Sequence, residues 1–309
     1  MIDVTLLGTA ALAPIPERAL SSAFLRCGGR SILFDCGEGT QSAARKAGVS
    51  LINTDIIALT HYHGDHIFGL PGLLQTMFSA GRIAPLYVTG PDGLDDVMSV
   101  MLRLAGDLSF DVETFETPDD GLWLREYFYC WPDRAVLSSF PTNHRGKSQG
   151  YSFTLGRAGK FNPEKAIALG IPVESWRTIQ NGGYVLSGDG QPVAPKTILG
   201  PDRKGLKVVF TGDTTMYSPM TKAAKDADLL ICDATYGDDE QTELAVEHGH
   251  MTFSQAAMTA KLSGSKTLWL THYSQRVTRP EYFLPGAKKI FPDTVCGYDG
   301  LSVTLRFEE

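Results

Sequence analysis

The chain has 309 residues, which is enough for one large domain or two ordinary ones and for a sizeable hydrophobic core. Hydrophobic residues make up 43% of the sequence and charged residues 20%, a globular composition that excludes wholesale disorder. The formal net charge of -7 argues against a broadly basic surface for binding nucleic acid, although it is compatible with a local basic patch.

The sequence predicts a cytoplasmic protein. Its N-terminus, Met1–Leu7, has an early acid and no basic flank, so we expect a strand there and not a signal peptide. No apolar stretch is long enough to span a bilayer, so no membrane partner is expected. The 5 cysteines lack CxxC spacing, and reduced thiols in the cytoplasm account for them most simply.

Short β-branched runs alternate with helical patterns along the chain, which predicts an α/β protein. The predicted strands are Asp3–Leu7, Ser31–Phe34, Asp55–Leu59, Leu86–Thr89, Val136–Phe140, Lys207–Phe210, Leu229–Cys232, Thr267–Leu270 and Ser302–Phe307. The predicted helices are Gln41–Lys46, Gly72–Ser79, Gly93–Leu104 and Phe253–Leu262. Between about 156 and 205, Gly and Pro punctuate a weakly periodic stretch. We expect a single domain, 1–309, from which that stretch protrudes as an inserted arm.

Five of the apolar runs end in a polar cluster. The histidine or aspartate that each cluster contributes is, in chain order, His61, His144, Asp213, Asp233 and His272. Buried strands are rigid, and the loops at their carboxyl ends are where α/β proteins collect ligand-binding groups. We therefore expect these clusters to meet at one sheet edge and to assemble a site from residues distant in sequence.

Four potential metal ligands lie within the six-residue run His61–His66. Crowding imidazoles and a carboxylate into a desolvated cleft is costly unless cations are bound. A turn within this run can direct His61 and His63 to one metal ion. Asp65 and His66 would then face a second ion.

Three residues elsewhere in the chain can complete the coordination of these two metal ions. Asp213 carries two oxygens and can bridge the ions, whereas His144 and His272 each add one imidazole. Imidazoles combined with carboxylates suit zinc, with manganese or iron possible. The sequence therefore predicts a two-metal site.

The spacing His-x-His-x-Asp-His after an apolar strand resembles the signature of the metallo-β-lactamase superfamily. Further segments over essentially the whole chain make it more closely similar to the ribonuclease Z family, endonucleases that trim the 3′ trailer from precursor tRNA. These segments are Leu7–Thr9, Phe34–Gln41, His61–His66, Phe68–Gly72, Pro141–His144, Ser148–Tyr151, Gly212–Thr214, Gly249–Thr252 and His272–Arg276. The segments Phe34–Gln41 and Gly249–Thr252 make the resemblance specific.

This resemblance implies a four-layer αββα sandwich with the metal ions at one rim of the paired sheets. It also implies a homodimer in which the arm of one subunit serves the site of the other, and two zinc ions per subunit. By this resemblance, one zinc is held by His61, His63 and His144. The other is held by Asp65, His66 and His272, and Asp213 bridges the two.

The mechanistic hypothesis is attack of a metal-bridging hydroxide on phosphorus, leaving a 3′-hydroxyl on the tRNA and a 5′-phosphate on the trailer. Asp65 would orient or deprotonate the attacking water while it ligates zinc. The resemblance assigns protonation of the departing 3′ oxygen to His250, with Asp233 as its orienting carboxylate.

The sequence departs from the family pattern at two places. Family members usually carry His-Glu-Ala-Thr where this chain has Cys232–Thr235, so the carboxylate of Asp233 is one methylene shorter. The Gly-Pro pair that is usual in the tRNA-clamping arm is replaced around Val173–Ser175.

Two weaker predictions concern the surface. Arg145 with Lys147, and Arg203–Lys204 with Lys207, are candidates for a patch that binds the RNA backbone near the cleft. His248 has no assigned task and is predicted to be loop surface.

Three other readings compete with this one. Another hydrolase on the same fold, a lactonase, β-lactamase or small phosphodiesterase, would generally lack the Gly249–Thr252 segment and the arm. A flavodiiron oxidoreductase would carry a glutamate in place of His63 and an additional flavin domain. A non-catalytic scaffold that binds RNA or protein would have no need for a complete set of ligands.

Overall fold

The computed structural model describes residues 1–128 and 130–308, which contain sixteen strands and twelve α-helices. The strands are β1 (Ile2–Gly8), β2 (Ser22–Cys27), β3 (Arg30–Phe34), β4 (Ile56–Ala58), β5 (Leu86–Thr89), β6 (Val112–Phe115), β7 (Leu122–Trp123), β8 (Ala135–Pro141), β9 (Gln149–Arg157), β10 (Val185–Leu186), β11 (Pro192–Val193), β12 (Arg203–Phe210), β13 (Leu229–Asp233), β14 (Leu268–Thr271), β15 (Thr294–Cys296) and β16 (Ser302–Leu305). The helices are α1 (Thr40–Lys46), α2 (Gly64–Ile67), α3 (Leu70–Ser79), α4 (Leu94–Ala105), α5 (Leu124–Tyr127), α6 (Pro163–Ala168), α7 (Trp176–Gln180), α8 (Pro195–Ile198), α9 (Ser218–Ala223), α10 (Thr242–His248), α11 (Phe253–Ser263) and α12 (Leu284–Ile290). Within the described ranges, no helix combines the length and the apolar character that crossing a bilayer requires.

Two seven-stranded mixed sheets dominate the fold. The strand order is β16-β1-β2-β3-β4-β5-β6 in the first sheet and β15-β14-β13-β12-β9-β8-β7 in the second. Strands β12, β13 and β14 are mutually parallel, and β8 runs in the same direction because β9 between β8 and β12 is antiparallel to both. The carboxyl ends of these four strands therefore lie on one rim of the second sheet.

The two sheets pack face to face through a shared apolar core. The ring of Phe34 in the first sheet stacks on Phe210 of the second, with centroids 5.5 Å apart, and lies 5.9 Å from the ring of Tyr151. Helices α1, α3 and α4 cover the outer face of the first sheet. Helices α9, α11 and α12 cover the outer face of the second sheet. The predicted four-layer αββα sandwich is confirmed.

Helix α4 illustrates how the sequence specifies the covering layers. Its buried residues, Leu94, Met98, Met101 and Ala105, recur at helical spacing and form one apolar stripe against the sheet. Asp95 and Asp96 lie in its first turn, where carboxylates stabilise the positive end of the helix dipole. All nine predicted strands and all four predicted helices correspond to elements of the structure.

The chain between β9 and β12 leaves the sandwich and forms a small subdomain with its own core. Phe161 and Leu199 form a β-bridge where the segment leaves and returns, and Gly200 N–H donates to the Lys160 carbonyl at 2.9 Å. The buried residues of this core are Ala166, Ile171, Ile179, Val185, Val193 and Ile198. The stretch predicted as an inserted arm, 156–205, contains this subdomain, and its role as an arm remains a prediction.

Candidate metal centre

The five strand ends that the sequence singled out come together at the rim of the sandwich. His61 follows β4 of the first sheet, whereas His144, Asp213, Asp233 and His272 follow or end β8, β12, β13 and β14 of the second. The expectation that one sheet edge supplies all five is therefore wrong. The residues meet because the two sheets pack face to face, and the sequence alone does not indicate that strand β4 belongs to a different sheet from the other four.

A first set of donor atoms surrounds one point at this rim. His63 Nδ1 lies 3.0 Å from His61 Nε2 and 3.2 Å from His144 Nε2. Asp213 Oδ2 lies 3.7 Å from His61 Nε2 and 3.8 Å from His144 Nε2. The four donor atoms all lie within 4.8 Å of one another.

A second set lies on the other side of the same carboxylate. His272 Nε2 is 3.2 Å from His66 Nε2 and 3.4 Å from Asp65 Oδ2. Asp213 Oδ1 lies 3.4 Å from His66 Nε2 and 3.3 Å from His272 Nε2. Asp213 thus presents one oxygen to each set.

These sets fit a metal cofactor. Zinc–nitrogen bonds of about 2.0–2.1 Å in a tetrahedron place neighbouring ligand atoms roughly 3.3–3.4 Å apart, close to the separations found in both sets. Asp213 Oδ1 is fully buried and accepts no hydrogen bond from the described residues. A buried carboxylate oxygen without a partner is costly, and a cation would satisfy it. The cluster is therefore a metal-binding site.

The charges around the cluster favour a cation. Burial opposes a positive charge on His66, but the carboxylates of Asp213 and Asp35 outweigh it and raise the pKa of His66 well above its ordinary value. Burial lowers the pKa of His61, and the neighbouring His66 lowers it further. The carboxylates therefore favour positive charge at the cluster, and the lowered pKa keeps His61 in the neutral form that ligates a metal.

Asp35 and Thr60 support the imidazoles that come from the first sheet. His66 Nδ1 donates to Asp35 Oδ2 at 2.7 Å, which leaves its Nε2 facing the cluster. Thr60 Oγ1 donates to the same carboxylate at 2.9 Å and lies 3.0 Å from His61 Nδ1, from which it can accept. Such hydrogen bonds fix the tautomer and the orientation of metal-binding imidazoles. Neither residue was predicted from the sequence to have a role at the site.

Asp233 and Thr235 perform the same task on the second sheet. Thr235 Oγ1 donates to Asp233 Oδ1 at 2.8 Å and lies 2.9 Å from His272 Nδ1. The other carboxylate oxygen, Asp233 Oδ2, accepts from His250 Nδ1 at 2.7 Å. The shorter aspartate therefore reaches the imidazole of His250. Thr235 was missed as a supporting residue, although it lies in the segment that was compared with the family pattern.

His250 lies beside the two donor sets and, like His66, is held by a buried carboxylate. Burial lowers its pKa, but the charge of Asp233 and the hydrogen bond to it outweigh burial and raise the pKa to about 9. Its ring stacks on that of His272 with centroids 5.3 Å apart. With Nδ1 engaged by Asp233, its Nε2 is the nitrogen left to act on a substrate.

Local backbone features hold the loop that carries His250. Thr252 caps helix α11 through a reciprocal hydrogen-bonding pair with Gln255, which fixes where the loop ends. Gly249 has φ of +82°, and a Cβ atom there would lie 2.6 Å from His144 Nδ1. Only glycine therefore fits, and its carbonyl accepts from that nitrogen at 3.0 Å.

The donor sets open into a cavity of about 610 Å³. His63, Asp65, Asp213, His250 and His272 line it, together with apolar residues of the loop that follows β1. Asp65 is 9% exposed and His250 is 14% exposed, so both can contact a molecule that enters. The arrangement can place a phosphodiester between a carboxylate and an imidazole.

Two of the weaker surface predictions are wrong. His248 ends α10, lines this cavity and lies 2.5 Å from the hydroxyl of Tyr236, so it is not loop surface. Arg203 and Lys204 begin β12, at the end of that strand opposite Asp213, so these two residues lie far from the cleft, and Lys207 does not line the cavity. Lys147 forms an ion pair with Asp92, which leaves Arg145 as the basic residue of its pair that lines the cavity.

Two family models match the chain. The model described as beta-lactamase superfamily domain matches residues 140–273, and the model described as anti-Pycsar protein Apyc1 matches residues 2–162. The crystal structure of human tRNase Z, short form, is 28% identical, with a TM-score of 0.68 over 99% of this chain and 100% of that one. The fold and the metal-binding rim define a member of the metallo-β-lactamase superfamily.

Relatives that match over the full length of the chain identify its family within this superfamily. Ribonuclease Z of Lachnoclostridium phytofermentans is 42% identical over 100% of this chain and 99% of its own. Ribonuclease Z of Alkaliphilus oremlandii is 39% identical over 100% of both chains. The chain belongs to the ribonuclease Z family. The predictions of the family and of a hydrolytic enzyme of this type are confirmed.

Proposed function

We propose that the protein is a zinc-dependent endoribonuclease that removes the 3′ trailer from precursor tRNA in the cytoplasm. It leaves a 3′-hydroxyl on the tRNA and a 5′-phosphate on the trailer. Its family supports the substrate class. The observation that carries the chemistry is the pairing of His250 with Asp233 beside two donor sets that share Asp213. A metal site alone is common to many hydrolases, whereas a proton donor beside it is what a poor leaving group needs.

We assign two zinc ions to the two donor sets. The first set is His61, His63 and His144, the second is Asp65, His66 and His272, and the bridge between them is Asp213. Such ions, when bound, stabilise developing charge on phosphoryl oxygens and lower the pKa of water to about 7, and manganese or iron can serve similarly. The separations of 3.0–3.2 Å between imidazole nitrogens in the first set suit zinc, which binds imidazole nitrogen at about 2.0–2.1 Å.

Asp65 positions the attacking water. Its Oδ2 atom accepts the backbone N–H of Leu12 at 2.8 Å, which fixes the carboxylate relative to the cavity. It also lies 3.4 Å from His272 Nε2. A carboxylate held in this way can accept a proton from water and direct its oxygen toward phosphorus.

His250 protonates the departing oxygen. As a bond forms between phosphorus and the attacking oxygen, the bond to the 3′ oxygen of the tRNA breaks, and that oxygen needs a proton. Asp233 accepts from His250 Nδ1 at 2.7 Å and so leaves Nε2–H as the donor. Asp233 therefore acts through His250 and not on the substrate.

The inserted subdomain is assigned as the tRNA-binding arm of a homodimer, in which the arm of one subunit reaches the RNA bound by the other. Its own core and closed base allow it to protrude as a unit. Within the departure from the family pattern, Val173–Ser175 forms a single helical turn that leads directly into α7. Arg145, exposed at the cavity, is the basic residue best placed to contact a phosphate there.

The test is cleavage of a precursor tRNA labelled at its 5′ end and carrying a trailer, with the purified protein, with and without a chelator. We expect one cut after the discriminator base, abolished by chelator and restored by zinc. Absence of that cut together with activity on a lactone or a cyclic nucleotide would support another hydrolase of this fold. Iron in the purified protein with oxygen-reducing activity would support the oxidoreductase reading, and binding of RNA without cleavage would support a scaffold.

A further inference from the structure

We infer that Leu12 and Phe68 form an apolar seat for one nucleobase of the RNA, the base of the first trailer nucleotide. This inference rests on the proposed function and specifies how the same cavity recognises its substrate. The two side chains line the cavity of the metal centre, as Asp65 does. They are large apolar groups placed beside a highly charged cluster.

Both side chains are exposed in the protein alone. Leu12 is 79% exposed and Phe68 is 67% exposed, whereas the neighbouring residues Ala11, His66 and Ile67 are buried. Exposed apolar area beside a site is the kind of surface that a planar apolar ligand covers. A nucleobase has such a face whatever its identity.

The backbone presents Leu12 to the cavity at a conformational cost. Its φ of +64° lies in the left-handed region, which a leucine rarely adopts. Two hydrogen bonds hold the loop in that conformation: Leu12 N–H donates to Asp65 Oδ2 at 2.8 Å, and Ala11 N–H donates to the carbonyl of Tyr273 at 2.9 Å. Strain of this kind persists where the surrounding structure enforces it, and it concentrates at ligand-binding sites.

Phe68 is exposed but its position is constrained. A Cβ atom on Gly64 would lie 2.3 Å from the phenyl ring, so the ring packs directly against the backbone of the metal-binding run. The residue also joins α2 to α3, with helical backbone angles. A ring fixed on one face and open on the other loses little side-chain entropy when a base stacks on it.

The position of Leu12 and Phe68 relative to His250 indicates which of the two nucleotides at the cleaved bond they contact. The ring of His272 lies between the two sides of the site: it stacks on His250, and its Nε2 atom is 3.4 Å from Asp65, which holds Leu12. His250 serves the departing 3′ oxygen, so the last nucleotide of the tRNA lies on its side. The phosphorus stays bonded to the 5′ oxygen of the trailer, so the first trailer nucleotide is free to lie on the side of Leu12.

Stacking explains what this seat contributes. Loss of one stacked base lowers binding by a factor of about 5 to 150. Because every base has a π-face, we expect the effect to depend on the presence of a base and weakly on its identity. The seat therefore binds trailers of differing sequence.

The experiment combines protein and substrate variants in one cycle. Single-turnover cleavage is measured for the wild-type protein and for Leu12→Ala, Phe68→Ala and the double variant, on precursor tRNA with an intact or an abasic first trailer nucleotide. We expect the double variant to lower kcat/KM about 5- to 150-fold on the intact substrate. On the abasic substrate the wild-type protein should lose a similar factor, and the double variant should lose little more.

Controls separate this seat from general damage. Ile83, which is 83% exposed and lies outside the cavity lining, provides the matched variant Ile83→Ala, expected to cleave both substrates as the wild type does. Metal content and the melting temperature of the seat variants should equal those of the wild type. Phe68→Tyr should keep the difference in kcat/KM between the intact and the abasic substrate, because a tyrosine ring can still stack on a base.

The contrary outcomes are distinct. If the wild-type protein cleaves the intact and the abasic substrate at equal rates, or if only an abasic last tRNA nucleotide matters, the seat is refuted while the proposed function stands. If the wild-type protein does not cut precursor tRNA at all, the proposed function fails and the seat with it. Equal losses for the seat variants on both substrates would show a structural effect and also overturn the inference.

Discussion

Asp35 and Asp233 occupy equivalent positions behind the metal centre, one in each half of the sandwich. Each accepts a hydrogen bond from an imidazole Nδ1 at 2.7 Å, His66 for the former and His250 for the latter. Each also accepts from a threonine hydroxyl that lies against a second imidazole. The two carboxylates nevertheless differ in what they support: Asp35 holds a residue of a metal donor set, whereas Asp233 holds His250, the residue proposed as proton donor.

Asp35→Asn should weaken metal binding without removing a ligand. The carboxylate is fully buried and holds His66 in the orientation that faces the second donor set, so an amide should lower metal affinity roughly 10- to 100-fold. Metal titration of the chelator-treated protein measures this. Asp226→Asn is the matched control, since Asp226 shares the φ of +55° but is exposed and remote from the site. Unchanged affinity in Asp35→Asn would contradict the supporting role.

Asp233→Asn should reduce turnover and leave the metal content unchanged. The amide oxygen can still accept from His250, but the charge that favours its protonated form is lost, and we expect a loss of roughly 10²–10⁴-fold in kcat. The measurement is kcat on precursor tRNA beside metal analysis of the same preparation. A variant that loses metal in proportion to activity would place Asp233 among the metal ligands.

Asp233→Glu, which restores the usual family residue, should not improve the enzyme. The aspartate already reaches His250, and its side chain is fully buried, so an added methylene must displace packed neighbours. Overpacking of this kind costs about 1–3 kcal/mol, which a thermal melt detects as a lower Tm. A higher kcat at unchanged Tm would show that the shorter side chain limits the natural protein.

His250→Ala should lower kcat roughly 10²–10⁴-fold with metal content intact. His248→Ala is the matched control, because both imidazoles line the cavity but His248 pairs with the hydroxyl of Tyr236. That control should retain activity within about tenfold of the wild type. Equal losses in both variants would argue against a specific proton-donor role for His250.

Excision of the inserted subdomain should affect binding of tRNA and not the chemistry. Phe161 and Leu199 are paired at its base, so a short Gly-Ser linker can replace residues 162–198. We expect KM for precursor tRNA to rise at least about tenfold, because phosphate contacts supply much of the affinity for nucleic acid. Hydrolysis of bis-p-nitrophenyl phosphate should be unchanged. A variant with unaltered KM would show that the subdomain is not a tRNA-binding arm.

The sequence indicated strands that are apolar and end at polar clusters, and it did not indicate some that are equally buried. Strand β9 has Tyr151, Phe153 and Leu155 on its buried face, but Gly150 and Gly156 near its ends are typical of loops. Strand β2, Ser22–Cys27, is a short and almost continuous apolar run, which periodicity alone does not assign to strand or helix. Its neighbours in the sheet, which lie elsewhere in the sequence, settle the matter.

The residues of the donor sets could be named from the sequence because metal ligands are few in type and closely spaced. Their supports could not be named in the same way. Thr60 and Thr235 act through hydroxyl hydrogen bonds whose partners depend on the folded backbone. Asp35 and His272 adopt left-handed backbone conformations, with φ of +55° and +62°, that only the surrounding structure enforces.

The metal centre also has a mechanical consequence for the sandwich. His66 follows a strand of the first sheet and His272 follows a strand of the second, yet their Nε2 atoms are 3.2 Å apart across a separation of 206 residues. A cation held by both imidazoles would link the two halves of the chain at this rim. Loss of such a cation would loosen this one rim, while the shared apolar core would still hold the two sheets together beneath it.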